Sequence, residues 1–250
     1  MTDRFDALMQ EWAPPAYSSI ALDRVRVFYG RQPVLLDLSV SFEKGTSTAL
    51  MGANGAGKST ILRALSTLLP VDGGEIVAGG ALRYREHRAL LRPTIGMVAH
   101  EPMLYGDLSA RENLNLWCDL YGLSRAQVLP WLEAVALADT GDRLVSGFSR
   151  GMKQRLAVAR AMLHAPTLVL FDEVLTGLDL ASRQNIWALL EALRRAGRIV
   201  ILATHVFEHP ERSVCRGVVL RNGRIVKDAP ASEGLLELYR QGTATRGGER

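Results

Sequence analysis

Gly52-Ala53-Asn54-Gly55-Ala56-Gly57-Lys58-Ser59-Thr60 follows the short apolar run Thr48-Ala49-Leu50-Met51. The pattern G-x-x-x-x-G-K-[ST] between a strand and a helix suits phosphate. Its glycines let the backbone wrap an anion with successive N–H groups turned inward, and the helix N-terminus adds partial positive charge at the same point. Lys58 is expected to reach the β- and γ-phosphates, and the Ser59 hydroxyl to ligate Mg²⁺. Far along the chain, the apolar run 167–171 ends in Asp172 and Glu173. Acids at the C-terminal end of a buried strand lie where α/β folds bind ligands. Asp172 would hold Mg²⁺ through water, and Glu173 would orient and polarise an attacking water. Asp and Glu also suit a helix N-terminus; the phosphate loop upstream favours the chemical reading.

The elements around these residues have legible periods. Residues 20–42 alternate apolar and polar about the turn Tyr29-Gly30, as antiparallel strands do. Helical spacing at Ile61, Leu62, Leu65, Leu68 and Leu69 predicts a helix that Pro70 stops. Residues 109–137 read as two helices broken near Tyr121-Gly122, within a helical subdomain spanning about residues 103–163. Residues 151–164 and 180–196 read as helices, 167–171 and 198–203 as buried strands. Val218-Val219-Leu220 and Arg224-Ile225-Val226 flank Asn222-Gly223, a favoured hairpin turn. Buried strands alternating with helices imply an α/β fold with a parallel core sheet, joined here by an antiparallel β subdomain. No internal repeat is visible. Residues 1–19 read as an N-terminal extension, 20–232 as one nucleotide-binding domain, and 233–250 as a C-terminal helix and flexible tail, polar and basic from Gln241 to Arg250.

Composition bounds the setting. The chain has 250 residues, 48% hydrophobic and 22% charged, and no apolar run reaches bilayer-spanning length. It is expected to work in water or beside a membrane partner. The first residues contain acids and two prolines and lack the apolar core of a signal peptide. Cys118 and Cys215 are isolated, which argues against a disulfide framework or zinc site and fits a reducing cytoplasm. A net charge of +4 usually means a solvated surface and does not establish an attraction to anionic lipid or nucleotide.

Phosphate loop and carboxylate strand together still allow many ATPases and kinases. Phe148-Ser149-Arg150-Gly151-Met152-Lys153-Gln154, just upstream of the carboxylate strand, resembles the signature of ABC ATPases. Thr176-Gly177-Leu178-Asp179 looks like their D-loop, His205 after strand 198–203 like the switch histidine, and Tyr29 like the aromatic that stacks on adenine. The resemblance covers residues 20–232. It implies an ABC-ATPase fold of the P-loop NTPase class, ATP and Mg²⁺ as cofactors, and hydrolysis in a homodimer. There Ser149 and Gly151 of one subunit would meet the γ-phosphate held by Lys58 of the other. It further implies an integral-membrane permease as partner, no nucleic acid, and a place on the cytoplasmic face of the cell membrane.

The sequence departs from the family pattern in three places. Arg150 replaces the first signature glycine, Val174 replaces the proline after the glutamate, and His100 stands where the Q-loop has glutamine. Neutral imidazole can still accept a hydrogen bond from magnesium-bound water, but it can gain a proton where glutamine cannot. The run from His100 through Ser109, with Arg111-Glu112-Asn113-Leu114 and Leu120-Tyr121-Gly122-Leu123, looks like the CcmA-type ATPase of haem exporters in cytochrome c maturation. ATPases of drug, lipid and polysaccharide exporters share these habits and remain the alternative, followed by a soluble, non-transport ABC ATPase. Met103, Leu104, Tyr105, Leu116 and Trp117 are apolar enough to dock a permease helix, although core packing would also use them.

Overall fold

Two kinds of strand build two sheets, and the computed structural model describes them over residues 3–10, 12–13, 15–207 and 213–244. Strands β1 (Ser19–Tyr29) and β2 (Gln32–Glu43) alternate between buried and exposed residues and pair antiparallel. With β4 (Gly73–Ala78) and β5 (Leu82–Arg83) they form a four-stranded sheet of order β2-β1-β4-β5. Strands β3 (Thr46–Gly52), β6 (Ile95–Val98), β7 (Leu168–Asp172), β8 (Ile199–Ala203) and β9 (Arg216–Arg221) are mostly buried along their length. They lie parallel, and β10 (Arg224–Pro230) adds an antiparallel edge, giving the order β10-β9-β3-β8-β7-β6.

The near-continuous apolar runs are explained by burial on both faces of this second sheet. Val169, Phe171, Val200 and Leu202 face one core, shared with α6 (Arg150–Met162), α7 (Leu180–Arg195) and the helical subdomain of α4 (Ala110–Tyr121) and α5 (Val128–Ala134). Leu168, Leu170, Ile199 and Ile201 face the other core, with α2 (Lys58–Leu65) and the antiparallel sheet. The remaining helices are α1 (Asp3–Met9), α3 (Tyr84–Leu91) and α8 (Leu235–Thr243).

Helix α4 starts at a capping box, with Ser109 Oγ accepting from Glu112 N at 3.1 Å and Glu112 Oε2 accepting from Ser109 N at 2.8 Å. It ends at Gly122, whose φ of 65° gives the break read near Tyr121-Gly122. Two expectations need correction. Helix α2 stops at Leu65 rather than at Pro70, because Thr67 is left-handed (φ 63°), and Leu68 is left 58% exposed. The N-terminal extension is also more than a lead-in. Phe5 and Met9 of α1 are buried, Arg195 of α7 bonds Asp6 at 2.6 Å, and Trp12 lies 6.2 Å from Trp131 of α5, under the Arg198 guanidinium. At the other end, α8 continues through Gln241 to Thr243, and residues 245–250 lie outside the described residues. Among the described residues, no helix is long and apolar enough to cross a membrane.

Candidate active site

The phosphate loop hangs between β3 and α2, with its backbone braced from below. Gly223 N donates to Ala56 O at 3.3 Å, and Gly223 O accepts from Leu36 N at 3.0 Å. The hairpin turn Asn222-Gly223, both residues left-handed, thus supports the loop; a Cβ at Gly223 would fall 2.3 Å from Val34 O. On the open side, Gly55 has a φ of 79°, and a Cβ there would meet nothing within 4 Å, which leaves the cradle clear for a ligand. Lys58 is 5% exposed and folds over the loop, its Nζ donating to Gly52 O at 2.9 Å and Ala53 O at 3.2 Å. It stands 3.8 Å from Glu173 Oε1.

Ser59 and Asp172 are 113 residues apart in sequence and meet through a hydrogen bond of 3.0 Å from Ser59 Oγ to Asp172 Oδ1. Burial raises the Asp172 carboxyl above the usual carboxylate range; the Ser59 bond opposes this, the Glu173 charge adds to it, and Arg63 and His100 oppose it. A buried carboxylate beside a hydroxyl, with a second acid next to it, suits a hard cation such as Mg²⁺. Strand β7 ends at Asp172, and Glu173 turns left-handed (φ 53°) with its N–H bonded to Ala203 O at 3.0 Å. Val174, in the place of the family proline, is buried in the core.

One cleft of about 550 Å³ brings together Tyr29, Asn54, Gly55, Gly57, Lys58, Ser59, Thr60, His100, Asp172 and Glu173. Gly52, Ala53 and Ala56 do not line it; their carbonyls accept from Lys58 and Gly223 as described above. Tyr29, at the tip of the β1–β2 turn, is 45% exposed. Gln32, Val34 and Arg63 also line the cleft, and the sequence reading did not single them out. Arg63 had a signal, since it lies four residues after Ser59 and so shares its helix face.

His205 sits at the margin rather than in this cleft, half exposed, with Nδ1 3.9 Å from Glu173 Oε1 and Nε2 3.3 Å from Thr176 Oγ1. Ser149, Gly151 and Asp179 do not line it either. Exposed Ser149 caps α6 by accepting from Met152 N at 3.3 Å, and Gly151 lies in the first turn. Asp179 caps α7, accepting from Ser182 N at 2.8 Å, and that bond holds its carboxyl below the usual range. The Arg150 guanidinium lies beside Gly177 in the same surface.

Comparison with known proteins points to one family. The family described as ABC transporter matches residues 35–176. The lantibiotic transport ATP-binding protein SrtF of Streptococcus pyogenes is 32% identical over 222 residues, covering 88% of this chain and 95% of its own. The daunorubicin resistance ATP-binding protein DrrA3 of Streptomyces coeruleorubidus is 35% identical, over 87% of this chain and 70% of its own. A solved ATP-binding subunit of an ABC transporter superposes with a TM-score of 0.80 at 30% identity, covering 90% of this chain and 99% of that one. ATP-binding subunits of this kind use ATP with Mg²⁺, pair with a membrane permease and dimerise. With its phosphate loop and acidic strand both inside the matched residues, the chain belongs to the ABC transporter family as an ATP-hydrolysing subunit.

Proposed function

We propose that the chain drives an exporter of antibiotic-like cargo, hydrolysing ATP in a homodimer on the cytoplasmic face of the membrane. The support for this cargo class comes from the relatives, named for lantibiotic transport and daunorubicin resistance. Haem export, expected from the run after His100, finds no support among them, and the drug-exporter alternative fits better.

The observation that carries the enzymatic reading is the convergence of Lys58, Ser59, Asp172 and Glu173 in one cleft. In this reading Lys58 exchanges its carbonyl partners for the β- and γ-phosphate oxygens. Ser59 and Asp172 would hold Mg²⁺, Asp172 through water, with His100 as a hydrogen-bond acceptor beside them. Mg²⁺, when bound, neutralises charge that develops on the phosphate oxygens. Glu173 polarises the attacking water, His205 swings from the margin onto the γ-phosphate, and Tyr29 stacks on adenine. Ser149 and Gly151 reach the nucleotide of the partner subunit, and Asp179 lies in the same interface.

A groove of about 490 Å³ lined by Leu68, Met97, Met103, Tyr105 and Trp117 is assigned to a permease helix in this reading. Met103 and Tyr105 are 60% and 55% exposed, while Leu104 packs against the core. Radiolabelled ATP binding measured beside phosphate release tests the assignment. Lys58→Ala should lose productive ATP binding, whereas Glu173→Gln should keep ATP bound and lose roughly a hundredfold or more in turnover. Wild-type turnover in Glu173→Gln would remove Glu173 from its role.

A further inference from the structure

The loop that carries His100 runs from β6 to α4, and one side chain of another element grips its first half. Arg160, in the last turn of α6, is 7% exposed. Its Nη1 donates to the carbonyls of Pro102 at 3.0 Å and Met103 at 2.7 Å, and its Nη2 to that of Met97 at 3.1 Å. The Cζ lies 5.4 Å over the Trp117 ring of α4. These three carbonyls bracket His100, one before it and two after. The second half of the loop is held separately. Buried Asn113 accepts from Tyr105 N at 2.9 Å and donates to the carbonyls of Tyr105 and Ser109, each at 2.9 Å. His100 itself is exposed and rides on the span that Arg160 grips.

Every acceptor of the Arg160 guanidinium belongs to residues 97–103, and its planar fork serves them in two directions at once. Burial lowers its proton affinity, so carbonyl oxygens and the indole face take the place of water. The same guanidinium also lines the groove assigned above to the permease helix, together with Met97, Met103 and Trp117. We propose that Arg160 is a positioning residue for His100, linking the helix that presents Ser149 and Gly151 to the loop over the cleft. This inference rests on the role given to His100 above.

The test compares Arg160→Lys, His100→Ala and the double variant in the full chain, with thermal melting as a check on folding. Lysine keeps the charge but loses the planar fork. In the nucleotide-free chain, Arg160→Lys should raise amide hydrogen exchange at residues 98–104 roughly tenfold and leave residues 52–60 as they were. It should raise the Mg²⁺ concentration for half-maximal ATPase activity by roughly three- to tenfold, the scale of a slightly misplaced catalytic group. On the His100→Ala background the lysine should add no further shift. Unchanged exchange, or a shift that simply adds to that of His100→Ala, overturns the proposal while leaving His100 in place. If His100→Ala keeps the wild-type Mg²⁺ requirement, the role of His100 falls and this inference with it. Should Arg160→Lys fail to fold, Trp117→Phe loosens the same clamp and is judged by the same outcomes.

Discussion

The phosphate-loop cleft and the signature face are built from similar parts and finished to different degrees. Both place a hydroxyl at or next to a helix start, Ser59 on α2 and Ser149 on α6. In the cleft, the central groups have internal answers: Lys58 meets two carbonyls, Ser59 meets Asp172, and the hairpin turn braces Ala56. On the signature face, Ser149 and Arg150 are exposed, and the cap bond from Met152 is the side chain's local use. The cleft can therefore hold a ligand on its own, while the face offers donors whose ligand must come from elsewhere. In the pairing proposed above it comes from the partner subunit, since one isologous interface would set each face against the other's cleft. Nucleotide would then lie within the interface, and association would be linked to it.

Three experiments would break or sharpen this contrast. The largest effect is expected from Ser149→Arg in a Glu173→Gln background. Glu173→Gln should dimerise with MgATP, and the added arginine should abolish the dimer while changing ATP affinity of the monomer only a few-fold. Light scattering with and without MgATP reads the outcome. A Glu173→Gln chain that stays monomeric at saturating ATP with the permease present would end the two-sided account.

The second experiment concerns how firmly the signature helix is anchored at its far end. His164, just past α6, uses Nε2–H to donate to Ile95 O at 3.1 Å and stacks on Tyr121 with ring centres 4.3 Å apart. Its Nδ1 is buried without a partner, and Arg160 is the nearby cation. Burial pushes its pKa down to about 4, with the Ile95 bond opposing and Arg160 assisting. As pH falls from about 6.5, the unfolded chain takes up a proton that the folded chain refuses until about 4. Stability is thus full above that window and falls through it, by about 3 kcal/mol at most. Chemical denaturation at pH 7 and pH 4.5 should show His164→Gln losing less stability with acid than the wild type. Equal losses in both would remove His164 as the cause.

The smallest effect is expected from Tyr29→Ala. A half-exposed ring stacking on adenine contributes about 1 kcal/mol, so ATP affinity should weaken roughly fivefold with turnover at saturation nearly unchanged. An unchanged affinity would mean that Tyr29 only shapes the turn.

What could be read from the sequence divides along similar lines. The phosphate loop and the acidic strand were legible because each is contiguous and its spacing has one physical use. The buried strands declared themselves by apolar runs, and the Asn222-Gly223 hairpin by its turn residues. What contiguity could not show was contact at a distance. Nothing in the string marks the hairpin turn as the brace beneath Ala56, or Arg160 as the grip on residues 97–103. Helix α1 has Phe5 and Met9 one turn apart, too short a pattern to distinguish from a polar lead-in. The overlong reading of α2 has the opposite origin, since Leu68 and Leu69 continue the apolar spacing after Thr67 has left the helix.

The place of β3 in the sheet has a consequence for how the protein is made. This strand pairs only with β8 and β9, and Thr46 lies about 150 residues before its partner Ile199. On a ribosome, β1, β2 and β4 can associate early, but the strand that leads into the phosphate loop waits for partners near the end of synthesis. At ordinary elongation rates the wait is roughly 10–30 seconds, during which an apolar strand edge stays open. Nascent chains should therefore acquire nucleotide late, and a chaperone that shields β3 would act within that interval.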